Sequence, residues 1–164
     1  MALVGISVAD AFDYVSDTDP CKRKVETPTD GGITKINTVI DDGATMFRLG
    51  VLDVFLMGMI YDSSSVIGRG PDTGEGQIDV KTRLNATNID AVRYGLRGWT
   101  HFTDAQGNDI AFVSADRIVQ GRTYKAATDD CLARLGIQLI AELGQQIKTA
   151  SEVGKAETKN SVTA

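Results

Sequence analysis

Residues Asn88–Phe112 read NIDAVRYGLRGWTHFTDAQGNDIAF, and this stretch decides the fold; it also holds the chain's only Trp and only His. Ile89, Val92, Leu96 and Trp99 recur at helical spacing, which places all four on one face of a short amphipathic helix. Gly98 and Thr100 mark its end. His101, Phe102 and Thr103 then lead into the turn residues Asp104 to Asp109, and Ile110 to Val113 return as a second strand. The pattern predicts a helix, a break and a β-hairpin, with Trp99 as a core anchor. A lone His beside Trp99 and Phe102 reads as a hydrogen-bonded residue at the core edge, not as a general base.

Working outward toward the N-terminus, Ala44–Val51 is β-rich and follows the turn signal Asp42-Gly43, so it reads as a strand. A helix is expected from Leu52 to Asp62, with Asp53 as its cap and Leu56, Met59 and Ile60 at helical spacing. Residues 63–76 form a Ser/Gly-rich stretch expected to be a flexible loop; its glycines do not make a phosphate loop, because Glu75-Gly76-Gln77 stands where Gly-Lys-Ser/Thr is required. Ile78, Val80, Thr82 and Leu84 alternate with Asp79, Lys81 and Arg83, the period of a half-buried strand.

Toward the C-terminus, Thr128 is an N-cap, with Asp129 and Asp130 in a first turn where the helix dipole favours anions. Leu132, Leu135, Leu139, Ile140, Leu143 and Ile147 form one apolar stripe, predicting a helix to about Ala150 anchored by Leu135, Leu139 and Leu143. Residues 151–164 are polar and, taken alone, expected to be disordered. Residues 1–42 are poorly periodic, with Pro20 and Pro28 as breakers, and are expected to be an extended arm. Ile33, Ile36, Val39 and Ile40 suggest one short strand or turn laid on something else. Phe12 and Tyr14 are too apolar for a solvated tail, and with Arg93 and Arg97 they are the candidate partner contacts. The fold class read from these elements is α+β: one small domain, residues 43–150, with a strand–helix unit, a helix plus β-hairpin and a long C-terminal amphipathic helix.

At 164 residues the chain can bury about 70% of its unfolded surface, enough for one good core. Its net charge of −5 gives no global support to nucleic-acid binding by counterion release, and Lys22-Arg23-Lys24 is a short run of the kind usually found on a solvated face. The two cysteines, Cys21 and Cys131, have no CxxC spacing and read as free thiols in a reducing compartment. With one His, a structural zinc site would need carboxylates to complete its ligands. Asp41/Asp42, Asp104/Asp109 and Asp129/Asp130 each have a simpler role in a turn or cap. The opening MALVGISVADAF lacks the pattern of a signal peptide, and no run approaches the ~20 apolar residues of a membrane span. No GxSxG, HExxH or DxDxDG pattern occurs, so neither catalytic residues nor cofactor or metal ligands are assigned.

Two blocks, GATMFRLGVLDVFLMGMIYD from Gly43 to Asp62 and the Asn88–Phe112 stretch with the helix and Lys-Asn tail that follow it, resemble small tailed-bacteriophage virion and morphogenesis proteins. The resemblance covers roughly half the chain. It implies a structural subunit without enzymatic activity, assembled in the bacterial host cytoplasm and located in the virion, at the head surface or the head–tail interface. Implied partners are other phage structural proteins and copies of this chain, with no membrane and no nucleic acid. Two other classes fit the same residues: a transient tail assembly chaperone and a small accessory enzyme.

Overall fold

The computed structural model describes residues 7–65 and 76–160. In chain order the elements are β1 (Ala11–Tyr14), β2 (Lys22–Pro28), β3 (Thr34–Ile40), β4 (Met46–Gly50), α1 (Val54–Ser65), α2 (Gly76–Gly95), β5 (Leu96–Thr100), β6 (Ser114–Val119), β7 (Arg122–Ala127) and α3 (Asp129–Asn160). The architecture is α+β. An antiparallel sheet of order β1-β4-β5 lies against the helices, and β2–β3 and β6–β7 form separate two-stranded hairpins.

Alternation along the sheet explains which face is buried. Tyr14, Phe47 and Trp99 stand in one cross-strand row, and Phe12 pairs with Leu49, which pairs with Leu96. These residues point to the core, while the row between them holds Asp13, Arg48 and Gly98 on the opposite face, with an Arg48–Asp13 ion pair at 3.0 Å. Phe47 and Leu49 are essentially inaccessible, as are Ile60, Val92, Leu143 and Ile147 from the helices above them. Phe47 meets Trp99 and Phe102 edge-on at ring separations of 6.4 and 5.7 Å, and Trp99 meets Phe112 at 5.1 Å. The Trp99 indole N–H donates to the Ile110 carbonyl at 2.6 Å, which satisfies the one polar atom of that half-buried ring.

Helices α2 and α3 cross where their side chains are smallest. A Cβ on Gly95 would overlap the Ile147 side chain, and one on Gly144 would come within 3.0 Å of Asn88 backbone atoms. Asp53 caps α1, its Oδ1 accepting the Phe55 and Leu56 N–H groups at 3.1 and 2.9 Å. Thr128 caps α3 through the Cys131 N–H at 3.4 Å.

Several expectations need correction. The helix through Ile89 and Val92 ends at Gly95, so Leu96 and Trp99 belong to β5; their spacing suits either element, and pairing with β4 decides it. Residues 101–113 make a single bridge, Thr103 with Asp109, beside backbone hydrogen bonds from Asp104 N–H to Asn108 O at 2.9 Å, Gly107 N–H to Asp104 O at 3.0 Å and Ile110 N–H to Phe102 O at 2.8 Å; they do not form two regular strands. Ile78–Leu84 is the first part of α2, continuous with the helical segment after it because neither Gly nor Pro interrupts Gln77–Tyr94. Helix α3 runs past Ala150 to Asn160, and Ser151 is buried: its hydroxyl donates to Ile147 O at 2.6 Å and accepts the Leu52 N–H at 2.9 Å. Of the loop expected at 63–76, residues 63–65 close α1, Gly76 opens α2, and 66–75 lie outside the described residues.

The stretch expected as an arm divides in two. Residues 11–14 are a strand of the central sheet, and Val15 and Ser16 are buried. Residues 22–40 form the β2–β3 hairpin, which stands away from the core with every residue but Lys22 exposed.

Candidate functional site

The residues expected to meet a partner are placed differently from one another. Phe12 packs on the core, and the Tyr14 hydroxyl donates to Glu142 Oε1 on α3 at 2.8 Å. Burial, with the Glu142 carboxylate beside it, pushes the Tyr14 hydroxyl pKa well up. The same carboxylate accepts the Ser16 hydroxyl at 2.8 Å and the Asp17 N–H at 2.8 Å, so Glu142 fastens the segment after β1 to α3. Phe12 and Tyr14 are therefore internal contacts. They were singled out because aromatic residues in a polar segment require cover, and β4 and α3 of the same chain supply it.

Arg93 and Arg97 do not share a helical face, because the first is on α2 and the second on β5. Arg93 is mostly buried and ion-paired with Asp129 at the start of α3, with Asp90 4.0 Å away. Its guanidinium holds the Asp129 carboxyl below the usual carboxylate range, whereas burial raises that of Asp90. Arg97 is exposed, lies along Gly50 and belongs to no ion pair among the described residues. Of the expected core anchors, Val92, Leu96, Leu135 and Leu143 are buried, and Ile89, Trp99 and Leu139 are half-buried against them.

Among the described residues, two concavities bear on a candidate site. The first, about 400 Å³, lies between the 103–109 turn and the start of α3, and Asp104, Asp109, Asp130 and Arg134 give it polar walls. Asp104 has a local role there: it accepts the Gln106 and Asn108 N–H groups at 2.9 Å each, and those donors hold its carboxyl below the usual range. Cys131 Sγ, at the rim, is buried and accepts the Val113 N–H at 3.3 Å. Both cysteines are free thiols, Cys21 half-buried and Cys131 buried. His101 has φ 55° and its Nδ1 lies 3.3 Å from Ala44 O. No group of three or more His, Cys, Asp or Glu among the described residues is placed to hold a metal ion. No helix among the described residues is long and apolar enough to cross a membrane.

The second concavity is an apolar groove of about 460 Å³ between the start of α1 and the far half of α3, floored by Leu52 and Met57 and walled by Val8, Val54 and Tyr61. Val54 is 74% exposed, and the Tyr61 hydroxyl donates to Glu152 on the rim. On the other side of the apolar balance stands the β2–β3 hairpin, where Ile33 is 75% and Ile36 60% exposed. Its register puts Val25 and Val39 on one face and Ile36 and Ile40 on the other, so neither face is a purely polar, solvated one. The hairpin carries Lys22, Arg23, Lys24 and Lys35 against Glu26 and Asp30, in a chain that is acidic as a whole. This surface was visible in the sequence only as the isoleucines and valines of 33–40; the missing signal was alternation, which a strand apolar on both faces does not show.

Compared with known proteins, the chain matches no family model, no curated protein and no solved structure.

Proposed function

We propose that this protein is a non-enzymatic structural subunit of a tailed-phage particle, held at the head surface or head–tail interface by contacts with copies of itself and with other structural proteins. The observation that carries the assembly role is the projecting β2–β3 hairpin. A two-stranded sheet is marginal in water by itself, and Ile33, Ile36 and Ile40 are each half or more exposed within one copy. What supports the phage placement is the resemblance of the Gly43–Asp62 and Asn88–Phe112 blocks. The proposed residence is the virion, after assembly in the bacterial host cytoplasm, and neither cofactor nor nucleic acid enters the reading.

The test is protein identification on purified particles, quantified against the major capsid protein. A fixed stoichiometric ratio is the expected result. A protein abundant in the infected lysate and absent from finished particles would instead be a tail assembly chaperone, and the structural role would be overturned.

A further inference from the structure

We infer that strand β3 pairs edge to edge with β3 of a second copy of this chain, antiparallel and about a two-fold axis at Asn37. The inference rests on the reading of the protein as an assembling subunit and names a contact by which copies join. Hydrogen bonds at the two ends of the hairpin fix which way its backbone faces: Thr29 N–H donates to Ile33 O at 3.2 Å, and Asp41 N–H donates to Cys21 O at 2.9 Å. Antiparallel pairs alternate between bonded and non-bonded, so Thr27 with Lys35, Val25 with Asn37 and Arg23 with Val39 are the bonded pairs between these ends. The N–H and C=O groups of Thr34, Ile36, Thr38 and Ile40 therefore face away from β2. Among the described residues no strand pairs with that edge, and all 7 residues of β3 are exposed.

A comparison of edges singles out β3. Sheet edges are blunted against pairing by charge, proline or a bulge. By the same alternation, the outward positions include Asp13 on β1, Asp116 on β6 and Lys125 on β7. Strand β5 bulges at Arg97, which has no partner on β4. On β2 the outward positions are Lys22, Lys24, Glu26 and Pro28, the last with no N–H to give. On β3 they are threonines and isoleucines, and its single charge, Lys35, stands where the backbone is spent on β2.

The occupant is a second copy because β3 complements itself. With the axis at Asn37, Thr34 lies opposite Ile40 and Ile36 opposite Thr38, so every outward N–H meets a C=O and the pairs are all β-branched. Only this axis keeps the whole strand paired. It also sets Lys35 against Val39 of the second copy, whereas an axis at Lys35 would set that charge against itself. The row through Ile36 then runs Glu26, Ile36, Thr38, Lys24 across the two copies, with opposite charges on its outer strands. Two ribbons that are each marginal alone become one four-stranded sheet. The contact is isologous and closes at two copies, so a larger assembly needs a second, different surface.

The experiment uses full-length protein with Cys21→Ser, in three further variants: Asn37→Cys, Thr34→Cys and Val25→Cys. All three positions are exposed, and unchanged melting temperatures verify the fold of each. Asn37 faces itself across the axis in a non-hydrogen-bonded pair, where opposed Cβ atoms come closest, so Asn37→Cys should give a disulfide-linked dimer on mild oxidation. Thr34 and its copy would lie about 20 Å apart along the strands, and Val25 and its copy about 14 Å apart across the sheet, so neither of those variants should cross-link. Adding Thr38→Pro to Asn37→Cys removes an outward N–H and no hairpin hydrogen bond; it should slow cross-linking several-fold while the Val25 amide stays protected from exchange. Faster cross-linking at Val25→Cys than at Asn37→Cys would mean that β2 edges meet and would overturn the inference. So would an Asn37→Cys chain that stays monomeric at every concentration, or one that Thr38→Pro leaves unchanged. Particle composition is read separately. Particles that contain the protein, with no Asn37→Cys dimer in solution or in the particle, would sink the edge pairing and leave the structural role standing. A dimer in solution and no protein in any particle would leave the pairing standing and sink the role.

Discussion

Among the described residues the chain builds two separate antiparallel hairpins, β2–β3 and β6–β7, and rests only the second on a helix. Under β6–β7 lies α2: Tyr124 stacks edge-on against Tyr94 at 6.1 Å, its hydroxyl donates to Asp53 at 2.8 Å, and Ala126 and Ala127 are buried. The Arg122 guanidinium, on the same hairpin, sits 3.6 Å from the centre of the Phe55 ring. Among the described residues no comparable element lies under β2–β3; its ties are at its base, where Asp41 N–H donates to Cys21 O at 2.9 Å and Arg23 grips Asp41 with two hydrogen bonds of 2.7 Å. The difference separates two uses of the same motif. One hairpin is part of the core's cover, and the other is presented outward.

Shortening each hairpin should reveal the contrast most strongly. Replacing Asp116–Lys125 by Asn-Gly removes Val119 and Tyr124 from the surface of α2 and should cost about 3–5 kcal/mol, the order for losing a large packed side chain. That is much of the ~5–15 kcal/mol that holds a typical domain. Replacing Lys24–Thr38 by the same two residues joins Arg23 to Val39 in their native register. It should cost less than about 1 kcal/mol, a shift in melting temperature under about 4 °C. Thermal unfolding of the two variants checks both, and equal losses would erase the distinction.

Next in size is the fastening between the two regions. Glu142→Ala leaves the Tyr14 and Ser16 hydroxyls and the Asp17 N–H without their acceptor, and hydrogen bonds to a charged group are worth about 1.5–3 kcal/mol. A loss of about 2–3 kcal/mol is expected, with faster amide exchange across residues 11–17. Loss of stability without that local opening would place the role of Glu142 elsewhere on α3. The same tie explains why residues 1–42 are not a detachable unit: a truncation at residue 42 takes β1 out of the central sheet.

What the sequence disclosed follows from how local each cause is. The caps at Asp53 and Thr128, strand β4 and the stripe on α3 depend on neighbours a few residues away, and all were readable. The spacing of Leu96 and Trp99 points to a helix, because the pairing with β4 that makes them a strand comes from some fifty residues earlier in the chain. Strand-like alternation in Ile78–Leu84 was overridden by continuity with α2. The β6–β7 hairpin escaped notice because its turn, Gln120-Gly121, lacks the Asn or Asp that usually announces one, although both residues have positive φ. Of the candidate contacts, Arg97 alone stayed open to a partner. The apolar residues of β2–β3 stood in the sequence, but that they remain uncovered is a property of the folded chain.

The turns themselves sharpen the contrast at a smaller scale. Gly121 has φ 76° and Gly32 has φ 78°, conformations in which a side chain costs about 1–2 kcal/mol. Gly121→Ala should therefore lower global stability by about 1 kcal/mol, because β6–β7 unfolds with the core beneath it. Gly32→Ala should leave the melting temperature unchanged and raise only the local opening of residues 25–37, read by hydrogen exchange. A melting shift from Gly32→Ala would couple the outward hairpin to the core after all.

The smallest expected effect is in the pH dependence. Arg93 holds Asp129 below the usual carboxylate range at the foot of the supported hairpin, and Arg23 does the same for Asp41 at the base of the outward one. A carboxyl whose folded pKa is depressed contributes stability that is present above its unfolded pKa and is lost as pH falls through the folded value. Both pairs therefore weaken on acidification below the ordinary carboxylate range. The Asp129 pair joins α2 to α3, with Arg117 of β6 3.7 Å away, so its loss should register in global unfolding. The Asp41 pair closes a hairpin that bears little on the core, so its loss should register only locally. Melting curves between neutral and acid pH should then be flatter for Asp129→Asn than for the unaltered chain. For Asp41→Asn they should run parallel to it. The reverse pattern would mean that the outward hairpin, and not the one resting on α2, is coupled to the fold.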